Sequence, residues 1–167
     1  DYTYFDQNGR RSMKKIIPKE AVYALYVLAS ANQADMSGMN YLKENASLLA
    51  LDSKYLLAIC YLMSGDRNTY NELLPKSFSG EISENAFGGS FHSYIRDQAL
   101  VLNALVESDE SSVQIPPLAT ALAEKVRDAK HLNTQECAFS LMALGKLAKK
   151  VQKNALTAQI TNNGALV

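Results

Sequence analysis

Apolar positions recur along the chain in four similar helical segments. Written one after another, these segments read AVYALYVLASAN from Ala21, YLLAICYLMSGD from Tyr55, QALVLNALVESD from Gln98 and CAFSLMALGKLA from Cys137. The fifth position of each copy is leucine or isoleucine (Leu25, Ile59, Leu102, Leu141), and the eighth is always leucine (Leu28, Leu62, Leu105, Leu144). The copies begin 34, 43 and 39 positions apart. Repeats of this length are typical of stacked two-helix units.

Helices with a single apolar stripe separate the four copies. The second helix follows Asp35 and extends to about Ala46, the fourth covers about 67–74, and Pro116-Pro117 opens the sixth. The copies themselves, such as the helix from Pro18 to about Ala31, are apolar around most of their surface, which is typical of buried helices. The pattern therefore predicts an all-α fold of about seven helices in inner and outer layers. This is an α/α superhelix or a partial α/α toroid, in which the four fifth-position residues are buried.

Polar residues mark where these helices start and stop. Asp35, Asp52 or Ser53, and Ser93 are candidate N-caps. Asn133 followed three positions later by Glu136 is a capping-box arrangement with Asn in place of Ser or Thr. Gly65 suits the left-handed conformation just beyond the third helix.

Both ends of the chain lack the helical period and carry signs of β-structure. Residues 1–17 are polar with interspersed aromatics, and Asn8-Gly9 is a hairpin-turn dipeptide, so a short strand pair is expected there. Residues 18–152 form the helical-repeat domain. In the tail, 153–167, Leu156, Ala158 and Ile160 alternate with polar residues before Asn163-Gly164. We interpret this tail as the first strand of a following β-domain, with the option of pairing to an early N-terminal strand.

The longest break in the helical pattern lies between Pro75 and His92. It contains Gly80, Gly88 and Gly89. Loops of this length are uncommon and often functional. The simpler interpretation, which we favour, is a connector that includes a short strand pair.

Composition excludes some classes of function. Lysine plus arginine and aspartate plus glutamate number 17 each, so the net charge is zero and a nucleic-acid partner is not expected. No apolar run is long enough to span a bilayer. The first residues, DYTYFDQNGRR, contain neither an initiator Met nor the apolar core of a signal peptide. We therefore expect either a processed chain or a piece of a longer protein, and we favour the piece.

Residues that could carry chemistry are few and scattered. His92 and His131 are the only histidines, and neither has zinc-site spacing, so surface positions are favoured. Cys60 and Cys137 both lie in apolar helices, and we interpret them as small buried hydrophobes rather than as a disulfide or a catalytic thiol.

The acidic pairs and the tyrosines are also interpreted as structural rather than as parts of a functional site. Asp109-Glu110 follows a helix and is expected to be solvated, and no aspartate-rich motif marks the ends of the inner helices. The helical tyrosines are interpreted as core rather than as a sugar-binding platform: Tyr23, Tyr26, Tyr41, Tyr55, Tyr61, Tyr70 and Tyr94. No catalytic, cofactor-binding or metal-binding residue is predicted, and no cofactor.

Four segments together resemble the helical domain of bacterial α2-macroglobulin-like proteins. They read YALYVLASANQADMSGMNYLKE, LDSKYLLAICYLMSGD, SYIRDQALVLNALVE and LNTQECAFSLMALGKLA, in that family's order. The family's Arg-Asp-x-Ala-Leu-x-Leu segment is matched from Arg96 to Leu102. Its Ser/Thr-Thr-Gln-Glu-x-Ala segment is matched from Asn133 to Ala138, with Asn in the first place. The resemblance covers about 21–148.

This resemblance implies a non-enzymatic part of a large protein of the bacterial cell envelope that traps attacking proteases. It implies neighbouring β-domains and a target protease as partners. Many members carry a Cys-x-Glu-Gln thioester near the start of this domain, but Cys60 is followed by YLM and Cys137 by AFS, so the motif is absent from this chain. The motif lies upstream of Asp1, or this member lacks it.

Two other functions remain open from the residues alone. The first is a toroid-type enzyme acting on a polysaccharide or an isoprenoid, which would require carboxylates converging at one end of the inner helices. The second is a free-standing helical-repeat scaffold that binds peptides in a concave groove.

Overall fold

The chain is mostly helical, as the apolar pattern predicts. The computed structural model describes residues 1–84 and 92–153 and the two short stretches 161–162 and 165–166. Within these residues lie seven α-helices: α1 (Lys19–Ser30), α2 (Met36–Glu44), α3 (Leu51–Met63), α4 (Arg67–Leu73), α5 (Tyr94–Ser108), α6 (Ile115–Asp128) and α7 (Thr134–Lys153). A 3-10 turn, Ala46–Leu48, links α2 to α3.

A small antiparallel sheet is formed by the N-terminal residues and one later strand. Its strands are β1 (Tyr2–Phe5), β2 (Arg11–Lys14) and β3 (Ile82–Ser83), in the order β2-β1-β3. The predicted hairpin is confirmed: Tyr2 lies opposite Lys14, and Gly9 in the turn has a φ of 73°. The pairing of β1 with β3 brings the stretch after Pro75 back to the N-terminus.

The C-terminal tail contains a second hairpin, β4 (Thr161–Asn162) with β5 (Ala165–Leu166). The predicted turn Asn163-Gly164 and the alternating residues from Leu156 to Ile160 lie outside the described residues. The alternative in which the tail pairs with an early N-terminal strand is wrong for β1. Both edges of β1 are already occupied, by β2 and β3.

The hydrophobic core centres on α3 and α5. In α3 every residue from Tyr55 to Tyr61 is buried, and in α5 every residue from Arg96 to Val106 is buried. The predicted core positions Ile59 and Leu102 are each 0 % exposed. Two of the four copies are therefore enclosed by their neighbours, as the width of their apolar surface predicts.

The same prediction is wrong for α1 and α7. Leu141, at the fifth position of the last copy, is 76 % exposed, Leu28 is 38 % exposed, and Leu25 is half-buried. The helix α1 packs on α3, and α7 packs on α5 and more lightly on α6. Within the described part of the chain, each of these two helices consequently has an outward apolar face. Sequence composition does not distinguish a helix that has neighbours on both sides from one that has a neighbour on one side.

The even-numbered helices are one-sided, as predicted. In α2, Met39 and Leu42 are buried, whereas Met36 of the predicted stripe is exposed at the helix start. In α6, Leu118 and Leu122 are buried.

Three of the predicted helix caps are present: Asp35, Ser93 and Asn133 each accept a hydrogen bond from a backbone N–H in the first turn of a helix. Asp66, which was not predicted as a cap, does the same for α4. Gly65 has the expected positive φ of 87°.

The predicted cap of α3 is wrong. This helix begins at Leu51, so Asp52 and Ser53 already lie inside its first turn. Instead, the distant Glu81 carboxylate accepts from the Leu51 N–H at 2.9 Å. The Asp52 side chain is occupied elsewhere, as described below.

Candidate functional site

The starts of α1, α3 and α5 meet at a buried ion network. Lys19 Nζ lies 3.0 Å from Asp52 Oδ1 and 2.6 Å from Asp97 Oδ2. Arg96 Nη1 donates to the other oxygen of Asp97 at 2.9 Å. Each of these four side chains is at most 3 % exposed. Two cations and two carboxylates thus share one dry region at one end of the inner helices.

The small sheet covers this network. Ser83 Oγ of β3 donates to Asp97 Oδ2 at 2.5 Å, and the Tyr2 hydroxyl of β1 lies 2.7 Å from the same Ser83 oxygen. The Tyr2 ring lies 4.9 Å from Lys19 Nζ, measured to the ring centroid. The first strand is therefore held to the helices through polar contacts with the network.

Burial and ion pairing act against each other in the electrostatics of this region. Burial alone would lower the pKa of Lys19, but the carboxylates of Asp52 and Asp97 more than offset it, so this pKa is raised. For Asp97, burial raises the pKa and the nearby Asp52 acts in the same direction, whereas Lys19 and Arg96 act against both. Lys19 and Arg96 thus offset the free-energy cost of burying the carboxylates of Asp52 and Asp97.

His92 lies at the edge of the network rather than freely on the surface. Its ring is half-buried and meets the Tyr2 ring edge-on, with centroids 5.2 Å apart. Burial, followed by the charge of Lys19, lowers the pKa of His92. The prediction of a surface position is thus only partly right for His92, whereas His131 is exposed as expected.

The chemistry that this network could perform is limited by access. Its four side chains are joined by ion pairs and sealed from solvent, so a substrate has no route to them, and Asp52 Oδ2 has no hydrogen-bond partner among the described residues. Within the described ranges, no group of three or more His, Cys, Asp or Glu side chains could hold a metal ion. The arrangement fits a structural role, which is to fix three helix starts and the sheet relative to one another.

A second polar cluster joins α5 to α7. Ser93 Oγ donates to Glu136 Oε1 at 2.5 Å, and Glu136 Oε2 accepts from the Asn133 N–H at 2.9 Å. The Glu136 N–H donates to Asn133 Oδ1 at 2.9 Å, which completes the predicted capping box. At the far ends of these helices, Lys146 pairs with Glu107. The helices α5 and α7 therefore run in the same direction.

The main accessible feature is the apolar surface left on α7 and α1. On α7, which we call the α7 face, Leu141 is 76 % exposed and Met142 45 % exposed, beside exposed Cys137 and Ala138. On α1, the exposed residues Ala21, Ala24, Val27 and Leu28 form a similar stripe, the α1 face. Contiguous exposed apolar surface of this kind often marks a contact site for another protein or domain.

The predictions for the cysteines, for Asp109-Glu110 and for the helical tyrosines agree only in part with the structure. Cys60 is buried as expected, but Cys137 is exposed because α7 turns this part of its surface outward; both thiols are free. Asp109 accepts a hydrogen bond from the Tyr70 hydroxyl at 2.8 Å, whereas Glu110 is exposed. Tyr41 is 60 % exposed and is therefore not part of the core.

Sequence reasoning missed the ion network. Lys19, Asp52 and Asp97 are far apart along the chain, and although Arg96 and Asp97 belong to the Arg-Asp-x-Ala-Leu-x-Leu segment, that segment does not indicate their partners. One signal was present: a charged residue lies within three positions before each helical copy, at Lys19, Asp52, Asp97 and Glu136. Charged residues at equivalent places of parallel helices converge in space, and this could have indicated the cluster.

None of the helices in the described ranges is both long and apolar enough to cross a membrane.

Comparisons with known proteins found no relative of this chain. A scan against protein-family models, a search of curated proteins and a search of solved structures each found no match.

Proposed function

We propose that this chain is a non-enzymatic interaction domain, the later part of the helical domain of a bacterial α2-macroglobulin-like protease inhibitor. In this proposal it acts in the cell envelope, packs against neighbouring β-domains of a longer protein, and contributes to trapping a target protease. The ordered resemblance over about 21–148 supports the family. The helices would form an arc of an α/α toroid whose remaining helices lie elsewhere in that protein.

The exposure of Leu141 is the observation that carries the interaction role. Equivalent positions in the second and third copies, Ile59 and Leu102, are fully buried because a helix lies on each side. The same kind of residue on α7 has no such cover within the described part of the chain. Burying a leucine side chain contributes about 1.5–3 kcal/mol, so an outward stripe of this kind favours a partner that covers it.

A toroid-type enzyme is the second candidate, and one observation favours it. Carboxylates do converge at one end of the inner helices, at Asp52 and Asp97, although no aspartate-rich motif marks these helix ends. Against catalysis, both are sealed and paired with Lys19 and Arg96. A catalytic carboxylate must reach its substrate within hydrogen-bond distance. The peptide-binding scaffold is a third candidate, and it would fit a gene that ends soon after Val167.

Cys137 offers a built-in reporter for the proposal because it lies on the α7 face. We expect a thiol reagent to label Cys137 readily in this chain, and at least about tenfold more slowly in the longer protein, where the face is covered. The buried Cys60 serves as the internal control, since it should remain unlabelled in both. Equal labelling of Cys137 in the two proteins would contradict the interaction role.

A second experiment tests protease trapping itself. In the longer protein, Leu141→Lys should reduce the protection of a large protein substrate from an added protease. The matched control is Ala123→Lys, on the exposed side of α6, which should leave protection unchanged. If both variants protect as well as the parent protein, the α7 face has no part in trapping.

A further inference from the structure

The apolar surface of α7 corresponds to a surface that another inner helix uses to hold an outer helix. Cys137 and Leu141 are the first and fifth residues of the fourth copy, and Gln98 and Leu102 are their counterparts in α5. Residues four positions apart lie on the same side of a helix. The contacts made at the first and fifth positions therefore show what each copy packs against on that side.

In the third copy this side of the helix lies against α6. Gln98 Nε2 donates to the Leu118 carbonyl of α6 at 3.0 Å, and Leu102 is 0 % exposed. The apolar side chains of Leu118 and Leu122 on α6 are buried as well. One side of α5 is thus covered by the apolar side of an amphipathic helix.

The earlier copies also have an outer helix beside them. Leu25 is the fifth residue of the first copy, and its Cδ2 would lie only 3.1 Å from a Cβ placed on Gly38 of α2. The helix α4 packs on α3, whose first and fifth positions, Tyr55 and Ile59, are fully buried. Each of the first three copies therefore has an outer helix packed against it.

The fourth copy lacks such a helix within the described part of the chain. Cys137 is exposed, and Leu141 and Met142 are 76 % and 45 % exposed. Terminal units of helical-repeat proteins carry a polar outer surface, because nothing packs against it. The helix α7 thus has the surface of an internal helix rather than that of a terminal one.

The direction of a covering helix follows from the way in which α5 and α6 pack. The Tyr94 ring centroid lies 4.6 Å from Lys125 Nζ, whereas Gln98, one turn later on α5, contacts Leu118. Residue numbers therefore rise along α5 while they fall along α6, so the two helices are antiparallel. A helix that covers α7 in the same way runs antiparallel to α7.

We propose that Cys137 and Leu141 bind the apolar side of an antiparallel amphipathic helix, in the way that the same side of α5 binds α6. The proposal rests on the interaction role proposed above and specifies the partner as an outer-layer helix from elsewhere in the longer protein. In α6 the buried and half-buried side consists of leucine and alanine, at Leu118, Ala121 and Leu122. We expect a similar stripe on the partner helix.

Cys137 allows the register of such a helix to be tested by thiol–disulfide exchange. The probe is an acetylated, amidated peptide with the sequence of α6, residues 114–129, in two forms. Ala121→Cys places a thiol on the side that lies near Gln98, and Ala123→Cys places it on the exposed side. Each peptide is equilibrated with the chain in a glutathione buffer, and intact mass gives the fraction of Cys137 in the mixed disulfide.

The two peptides should differ because docking raises the effective concentration of a thiol that faces Cys137. We expect the exchange equilibrium constant of the Ala121→Cys peptide to be at least about tenfold larger than that of the Ala123→Cys peptide. Equal constants would overturn the proposal.

Two variants of the chain show whether this preference depends on the α7 face. Leu141→Lys should abolish it, whereas Val113→Lys, which also replaces an exposed apolar residue, should leave it unchanged. Thermal melting checks that both variants are folded. A preference that survives Leu141→Lys would mean that the peptide does not dock on this face, and the proposal would be wrong.

Sedimentation of the chain alone, under reducing conditions, tests a different occupant. We expect a monomer; a dimer that Leu141→Lys dissociates would mean that a second copy covers the α7 face, and it would overturn the assignment to an outer helix. Slow labelling of Cys137 in the longer protein, combined with equal exchange constants for the two peptides, would retain the interaction role and reject this partner. Equally rapid labelling of Cys137 in both proteins would reject the interaction role itself.

Discussion

Lys19 Nζ lies 2.6 Å from Asp97 Oδ2, although 78 positions separate the two residues along the chain. The contact joins the start of α1 to the start of α5, and Asp52 adds the start of α3 to the same point. Charges buried this completely are stable only while paired. The helical arrangement therefore depends on a long-range electrostatic contact as well as on apolar packing.

Removing Lys19 should destabilise the chain strongly. Lys19→Met leaves Asp52 and Asp97 buried with one cation fewer, which should lower the free energy of unfolding by about 3–5 kcal/mol. Urea denaturation followed by circular dichroism measures this. The control is Lys43→Met, which breaks the exposed pair with Glu72 and should cost no more than about 1 kcal/mol. Similar losses in both variants would mean that the buried network contributes little.

The two thiols should differ sharply in the native chain. Cys137 is exposed, whereas Cys60 is buried and burial raises its pKa to about 12, so it holds almost no thiolate at neutral pH. Titration with a thiol reagent should therefore count one thiol in the folded chain and two in denaturant. Cys137→Ser should abolish the native reaction and leave one thiol in denaturant. Rapid native labelling of Cys60 would contradict the packing of α3.

Two glycines with open space around them should respond oppositely to alanine. Gly65 has a φ of 87°, so Gly65→Ala should cost about 1–2 kcal/mol through backbone strain alone. Gly145 lies inside α7, and a Cβ there meets nothing within 4 Å, so Gly145→Ala should stabilise by about 0.5–1 kcal/mol. Thermal melting of the two variants measures both signs. A stabilising Gly65→Ala would contradict the left-handed turn after α3.

Alkaline unfolding should be steep because buried tyrosines resist ionisation. Burial raises the pKa of Tyr2, Tyr26, Tyr55 and Tyr70 above the ordinary value of 10.0. Their contribution to stability is fully present below about pH 10, where the unfolded phenols are neutral, and is lost as pH rises toward the folded-state values. Tyrosinate absorbance should thus rise together with the loss of helix signal.

Tyr70→Phe tests this mechanism. It should reduce the amplitude of the cooperative absorbance step, whereas Tyr41→Phe at an exposed position should leave that step unchanged. If the absorbance of all tyrosines rises well before the helix signal falls, the phenols are not buried as described.

Local hydrogen bonding explains why most helix boundaries could be predicted. A cap such as Asn133 acts on backbone groups within three residues, so the sequence alone contains both partners. The cap of α3 shows the limit, because Glu81 reaches Leu51 from 30 positions away. The ion network has the same character: Lys19 meets Asp97 only because the starts of α1 and α5 lie side by side, 78 positions apart along the chain.

The exposure of α7 could not be predicted for a different reason. An apolar helix surface indicates that something should cover it, but it does not say whether the cover belongs to the same chain. Leu102 and Leu141 occupy equivalent positions in similar segments, yet one is fully buried and the other is mostly exposed.

The shared direction of the inner helices has an electrical consequence. When α1, α3, α5 and α7 all begin at one end, the dipoles of their peptide groups add instead of cancelling, and partial positive charge accumulates where the starts meet. Asp52, Asp97 and Glu136 lie at that end together with Lys19 and Arg96, so these three negative and two positive groups leave one excess negative charge there, and Lys146 and Lys150 lie toward the opposite end. The side chains thus counter a polarity that the backbone creates. A further helix joining this layer in the same direction would call for an acidic residue near its own first turn.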